Sequence, residues 1–212
     1  MNTENLKDAT LFYIHDPMCS WCWGFQKTWM EVQKNLPHNI QIEYLVGGLA
    51  PDSNETMPKN MQTAISGYWQ TIQEKIPGTE FNYDFWEKCQ PRRSTYPACR
   101  AVLAAKQLEP TSEPRMIHAI QSAYYLNAKN PSDEETLVEC AQKIGLDSKV
   151  FLQTIKSDEI EAQLQTQINL SRSMGAQGFP SLLLKKSEQL QAIFIDYNNP
   201  HTIIEQIEHA IA

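Results

Sequence analysis

The sequence has no concentration of basic residues. Lys and Arg total 18 against 25 Asp and Glu, for a net charge of −7, and the tight basic pairs are Arg92-Arg93 and Lys185-Lys186. A nucleic-acid groove needs a basic face, so no nucleic-acid partner is expected. Long apolar runs are missing as well: stretches such as Leu182–Leu184 fall far short of the ~20 apolar residues that span a bilayer, and no membrane partner is expected. Met1 to Thr10 carries Glu4 and Asp8 and has neither the basic start nor the hydrophobic stretch of a secretory leader, which predicts a cytoplasmic chain. Cysteine is scarce and odd in number, at five, which argues for a reducing compartment and against a disulfide framework. No second CxxC, HxxxH, Ser/His/Asp set or phosphate loop accompanies them, and the five histidines form no cluster.

What is present fits a globular chain able to bury its own core, with 42% apolar and 20% charged residues over 212 positions. Leu11 to His15 is a short apolar run closed by Asp16-Pro17, which reads as a buried strand entering a turn. From Ser20 to Leu36, Trp21, Phe25, Trp29, Val32 and Leu36 recur at spacings of three and four, which predicts a helix ending before Pro37. Ile40 to Val46 alternates and stops at Gly47-Gly48, a second strand. Helical patterns then follow one another over about Pro58–Ile76, Tyr96–Leu108, Glu113–Asn127 and Ser132–Ile144. Ser132 with Glu135 forms a capping-box signature, Pro114 suits a first turn, and Gly145 suits a left-handed C-cap. Two more helices are expected at about Ser148–Lys156 and Asp158–Met174, then strands at Ser181–Lys185 and Gln191–Ile195 with a turn near Lys186 to Glu188. A terminal helix is expected over Pro200–Ile211. The order is α/β, interrupted by an all-helical insertion. An apolar face on the helical block could support a homodimer.

The chemistry centres on Cys19-Ser20-Trp21-Cys22, placed after a strand at the start of a helix. A thiol there faces unpaired backbone N–H groups and the positive end of the helix dipole, an environment that favours thiolate. Cys19 is therefore the expected nucleophile, and Cys22, one turn further in, the thiol that resolves a mixed disulfide. No metal and no organic cofactor is required for that chemistry. The pair also reads as half of a zinc site with His15 as third ligand, or as two incidental core thiols. Trp23 after Cys22 excludes the CxxCH of a covalent haem.

Other residues complete the reading. Gly178-Phe179-Pro180-Ser181 precedes a strand, and Pro180 either takes a cis peptide bond that sets the Phe179 backbone beside the thiols, or starts an edge strand in trans. In the cis case Phe179 and Pro180 would bind an extended substrate by strand addition. Met18, Trp21 and Trp23 flank the thiols and cannot share one helical face, so they suit a binding rim, with packing between the two parts of the chain as the alternative for Trp23. Asp16, three residues before Cys19, could cap the helix or tune the thiol, and as Asp before Pro it fits a turn residue, the role taken here. Cys89, Cys99 and Cys140 read as inert core thiols, and Cys89 could pair with Cys99 only if the intervening segment folds back to within ~7 Å.

The segments Asp16-Pro17-Met18-Cys19-Ser20-Trp21-Cys22-Trp23-Gly24-Phe25 and Gly178-Phe179-Pro180, around a helical insert, resemble the DsbA-like branch of the thioredoxin superfamily. The chain is more similar still to the intracellular predicted protein-disulfide isomerases with a CxWC motif, a likeness that Tyr96-Pro97-Ala98-Cys99-Arg100-Ala101 extends into the insert. The resemblance implies a thioredoxin-like fold from residues 8–56 and 170–212, with a helical insertion domain over 57–169. It also implies a cis Pro180, attack by Cys19 and resolution by Cys22. The partners it implies are protein or small-molecule thiols and disulfides, glutathione among them. Kappa-class glutathione transferases and 2-hydroxychromene-2-carboxylate isomerases share this fold. A glutathione-dependent reaction in which Cys22 is dispensable is the rival reading, and a zinc or redox sensor is the third.

Overall fold

The structure is a computed structural model describing residues 9–212; the leader reading of the N-terminus and Asp8 of the expected domain therefore lie largely outside the described residues. Four strands form one sheet in the order β2-β1-β3-β4, comprising β1 (Ala9–His15), β2 (Ile40–Val46), β3 (Ser181–Lys186) and β4 (Gln189–Ile193). β1 pairs in parallel with β2 and antiparallel with β3, and β3 pairs antiparallel with β4. Such a parallel pair needs a crossover, supplied by α1 (Ser20–Asn35). The sheet, with α1 and α9 (Pro200–Ile211) on one face, is the thioredoxin-like fold, and the helices entering between β2 and β3 are its insertion.

Leu11, Tyr13, Phe25, Trp29, Leu182 and Ile207 fill the core between that face and its two helices. The opposite face, with Ile14, Leu45 and Leu183, packs beneath Met174, Ala176 and Phe179. The insertion comprises α2 (Lys59–Lys75), α3 (Phe85–Lys88), α4 (Tyr96–Leu108), α5 (Glu113–Tyr125), α6 (Glu134–Lys143), α7 (Ser148–Ile155) and α8 (Asp158–Ser173). Val102, Leu103, Met116, Ile120, Leu137, Phe151 and Leu164 form its apolar centre, which reaches the sheet at Val46. Among the described residues no helix is long and apolar enough to cross a membrane.

Several sequence expectations are corrected. β4 lies two residues earlier than the alternation suggested, because the turn closes tightly at Ser187, which adopts φ +55°. The capping box at Ser132 does not form: Ser132 Oγ donates to the Ser94 carbonyl at 2.7 Å, and Asp133 takes the N-cap of α6. The short α3 has no counterpart in the sequence reading. Gly145 adopts φ +89° after α6, and Pro114 lies in the first turn of α5, both as the sequence suggested.

Candidate active site at the first helix

β1, one of the two inner strands of the sheet, delivers the chain into a turn held by Asp16, whose Oδ1 accepts from the Met18 N–H at 2.8 Å. The Cys19 N–H donates to the Asp16 carbonyl at 3.0 Å, which places Cys19 at the N-cap of α1. One turn on, Cys22 is fully buried and in hydrogen-bonding contact with Cys19. Burial pushes the Cys22 thiol well above the ordinary cysteine range, with the Cys19 contact acting in the same direction. The whole pair sits against Tyr13, whose hydroxyl contacts Cys22 and which burial also holds well above its usual range. All five cysteines are free thiols, and Cys89 donates to the Ala128 carbonyl at 3.0 Å.

The second half of the site arrives from far along the chain. The Phe179-Pro180 bond is cis, and the Cys19 thiol donates to the Phe179 carbonyl at 3.3 Å. Room for Phe179 depends on Gly47, since a Cβ there would lie 2.0 Å from the Phe179 ring. Gly48, at φ +63°, turns the chain after β2 so that the Leu49 N–H donates to Asp16 Oδ2 at 2.7 Å. Thr95 Oγ1 donates to the same oxygen at 2.6 Å and Cys99 Sγ at 3.6 Å, both from the insertion. Burial raises the Asp16 carboxyl above the usual carboxylate range, and these donors pull against it. Asp16 thus ties the CxxC turn, the loop after β2 and α4 into one buried node. The turn role given to it from sequence was only part of its function.

The rim residues separate. Met18, Trp21 and Phe179 line a crevice of about 230 Å³ beside Cys19, together with Met57, Tyr68 and Arg93. Trp23 does not join them. Its indole N–H donates to the Glu80 carbonyl at 2.9 Å and its ring stacks on Tyr125 at 5.6 Å, within an aromatic cluster that includes Trp69 and Phe85. The packing alternative therefore holds for Trp23, since the insertion offers it a complete set of apolar partners. His15 is buried with both ring nitrogens unpartnered, stacked on Tyr13 at 5.3 Å. Among the described residues no three His, Cys, Asp or Glu side chains gather as a metal ion requires, so His15 is not a third ligand beside the cysteines.

Arg92, Arg93, Tyr68 and Thr95 were not picked out as site residues from sequence. Arg92, Arg93 and Thr95 reach the crevice because the Thr95 and Tyr96 N–H groups donate to the Ala50 carbonyl, at 3.0 and 3.2 Å, pinning the 91–95 segment beside the loop after β2, while Tyr68 comes from α2. Only the adjacency of the two arginines is visible in the sequence, and nothing in it points to Cys19.

The family model that matches is described as thioredoxin and covers residues 12–206. Curated relatives include the ClpXP adapter protein SpxH of Halalkalibacterium halodurans, 24% identical over 95% of this chain and 67% of that protein. The Bacillus subtilis SpxH is 22% identical over 83% of this chain and 58% of its own length, so the chain spans about two thirds or less of these relatives. Among solved structures, a Nitrosomonas europaea protein superposes with a TM-score of 0.83 at 24% identity, covering 95% of this chain and 97% of that one. The cytosolic disulfide reductase DsbM from Pseudomonas aeruginosa superposes with a TM-score of 0.75 at 22% identity, covering 95% and 98%, and has also been solved with GSH. At these identities the structural likeness speaks to the fold.

Proposed function

The chain belongs to the thioredoxin family, and from that membership we propose that it is a thiol-disulfide oxidoreductase working through Cys19 and Cys22. One observation carries the reading: a thiol at a helix N-cap, with a second thiol buried in contact behind it and the carbonyl before a cis proline 3.3 Å in front. The Cys19 thiolate attacks one sulfur of a substrate disulfide, forming a mixed disulfide and expelling the other sulfur as thiolate, which takes up a proton. Cys22, deprotonated as it attacks, displaces the substrate's second sulfur from Cys19. The pair is left oxidised and the substrate reduced, and two equivalents of a small thiol, leaving as its disulfide, return the pair to dithiol.

Phe179, Pro180, Trp21 and Met18 form the wall against which substrate lies, with the Phe179 carbonyl able to pair with an extended chain. Isomerisation of protein disulfides needs only the Cys19 half of this cycle, while net reduction needs both thiols. The cytoplasm, kept reducing, suits the reductive direction. Glutathione fits as the small thiol partner, in line with the GSH complex of the Pseudomonas aeruginosa reductase.

The test is a redox titration of the protein against graded glutathione ratios, followed by mass spectrometry, with Cys19→Ser and Cys22→Ser alongside. The expected result is a two-electron couple absent from both variants, with Cys22→Ser accumulating a mixed disulfide on Cys19. Absence of any Cys19–Cys22 disulfide at every ratio would overturn the proposal. Retention of full activity by Cys22→Ser would favour the glutathione-dependent rival.

A further inference from the structure

The crevice beside Cys19 differs in charge from the rest of the molecule. The chain carries −7 overall, yet the charged side chains lining the crevice are both arginines, Arg92 and Arg93, and no carboxylate joins them. Arg92 is committed elsewhere: its guanidinium donates to the Asp133 carboxylate at 2.5 Å and to the Ser132 carbonyl at 2.8 Å. Arg93 is exposed and, among the described residues, has no carboxylate within ion-pair distance. Its charge acts on the crevice wall, where it opposes the effect of burial on the Tyr124 phenol. A guanidinium that lines a reactive-thiol crevice and has no ion-pair partner among the described residues is a fork suited to a carboxylate. The crevice, at about 230 Å³, has room for one amino-acid-sized group beside the sulfur.

We propose that Arg93 is a specificity-determining residue that selects small disulfides bearing a carboxylate near the sulfur over neutral and cationic ones. The inference rests on the reading of Cys19 as nucleophile. In each exchange the Cys19 thiolate forms one S–S bond as the substrate's S–S bond breaks and the departing thiolate leaves; the arginine stays unchanged and offsets the negative charge brought to the site.

The experiment follows thiol loss from the reduced 212-residue chain on mixing with three aliphatic disulfides: dithiodipropionate (dianion), bis(2-hydroxyethyl) disulfide (neutral) and cystamine (dication). Each is run with the parent protein, Arg93→Gln and Arg93→Lys. At low salt, Arg93→Gln is expected to slow dithiodipropionate by about five- to tenfold, leave the neutral disulfide within about twofold and speed cystamine, with Arg93→Lys in between. About 0.5 M salt should erase most of these differences. If Arg93→Gln changes the three rates in equal proportion, or changes none, the proposal is overturned. A disulfide-linked acidic peptide forms a fourth arm, and a larger Arg93 effect there than with dithiodipropionate would overturn the assignment to small substrates. Failure of the parent protein to react with the neutral disulfide, with Cys19→Ser no slower, would sink the oxidoreductase reading itself and is separable from any outcome at Arg93.

Discussion

His15 closes β1 four residues before Cys19, fully buried, with neither ring nitrogen hydrogen-bonded. Burial lowers its pKa from the ordinary 6.5 to about 3, with the Lys106 charge adding to the effect. A base whose folded value lies below its unfolded value leaves stability intact above the unfolded value and removes it as pH falls toward the folded one. Between about pH 6.5 and pH 3 the unfolded chain holds one proton that the folded chain refuses, at about 1.4 kcal/mol for each pH step. At about pH 4.5 the loss attributable to His15 is therefore about 2.7 kcal/mol. His15→Phe keeps an aromatic ring against Tyr13 and Tyr44 and removes the proton. Its absolute stability can move either way, because removing an unsatisfied polar ring gains while the larger ring crowds the site. The test lies in the slope. Urea unfolding of both proteins at about pH 7.5 and pH 4.5 should show the parent losing about 2.7 kcal/mol more than the variant over that interval. Parallel losses would mean that His15 is hydrated or paired in solution, and the account of its burial would fail.

Two further substitutions probe the frame around the site. Thr95→Val removes the donor 2.6 Å from Asp16 Oδ2 and should cost about 1.5–3 kcal/mol at neutral pH. Asp16 has a raised folded pKa, so its ionisation costs stability as pH rises, and the Thr95→Val penalty should shrink in acid; urea titrations at about pH 7.5 and pH 4 check this. Gly48→Ala places a Cβ at φ +63°, 2.6 Å from Ile168 and 2.8 Å from Tyr96, and should cost about 2–4 kcal/mol. Gly78→Ala has similar backbone strain but open space around it, and should cost about 1 kcal/mol; equal losses for the two by thermal melting would show that the Ile168 contact gives way freely.

Much of the frame could be read from the chain because its signals are local. The α1 stripe, the alternation of β2 and the CxxC between a strand and a helix each depend on neighbours within a few residues. The misread features depend on distant partners or on weak ones. β4 is an edge strand in which Ile193 alone is buried, so its alternation had little to fix a register. Ser132 carries a capping signature, but its hydroxyl finds the Ser94 carbonyl, 38 positions away. Trp23 could have faced solvent or core, and the choice is made by Trp69 and Tyr125 from two different insertion helices. The Asp16 node draws on Leu49, Thr95 and Cys99 at once, a convergence that no spacing rule encodes.

The sheet topology also bears on how the molecule is made. β1 is the second strand of the sheet, yet one of its edges is closed by β3, and Cys19 meets the Phe179 carbonyl across 160 positions of sequence. At ribosomal rates of about 5–20 residues per second, roughly ten to thirty seconds separate synthesis of the thiol pair from synthesis of the segment that covers it. Throughout that interval the nascent chain holds an open strand edge rich in Leu11, Tyr13 and Ile14 beside two uncovered thiols, a state prone to stray pairing. A reducing environment at the ribosome, or a chaperone on that edge, would protect the newborn chain until its last fifth is made.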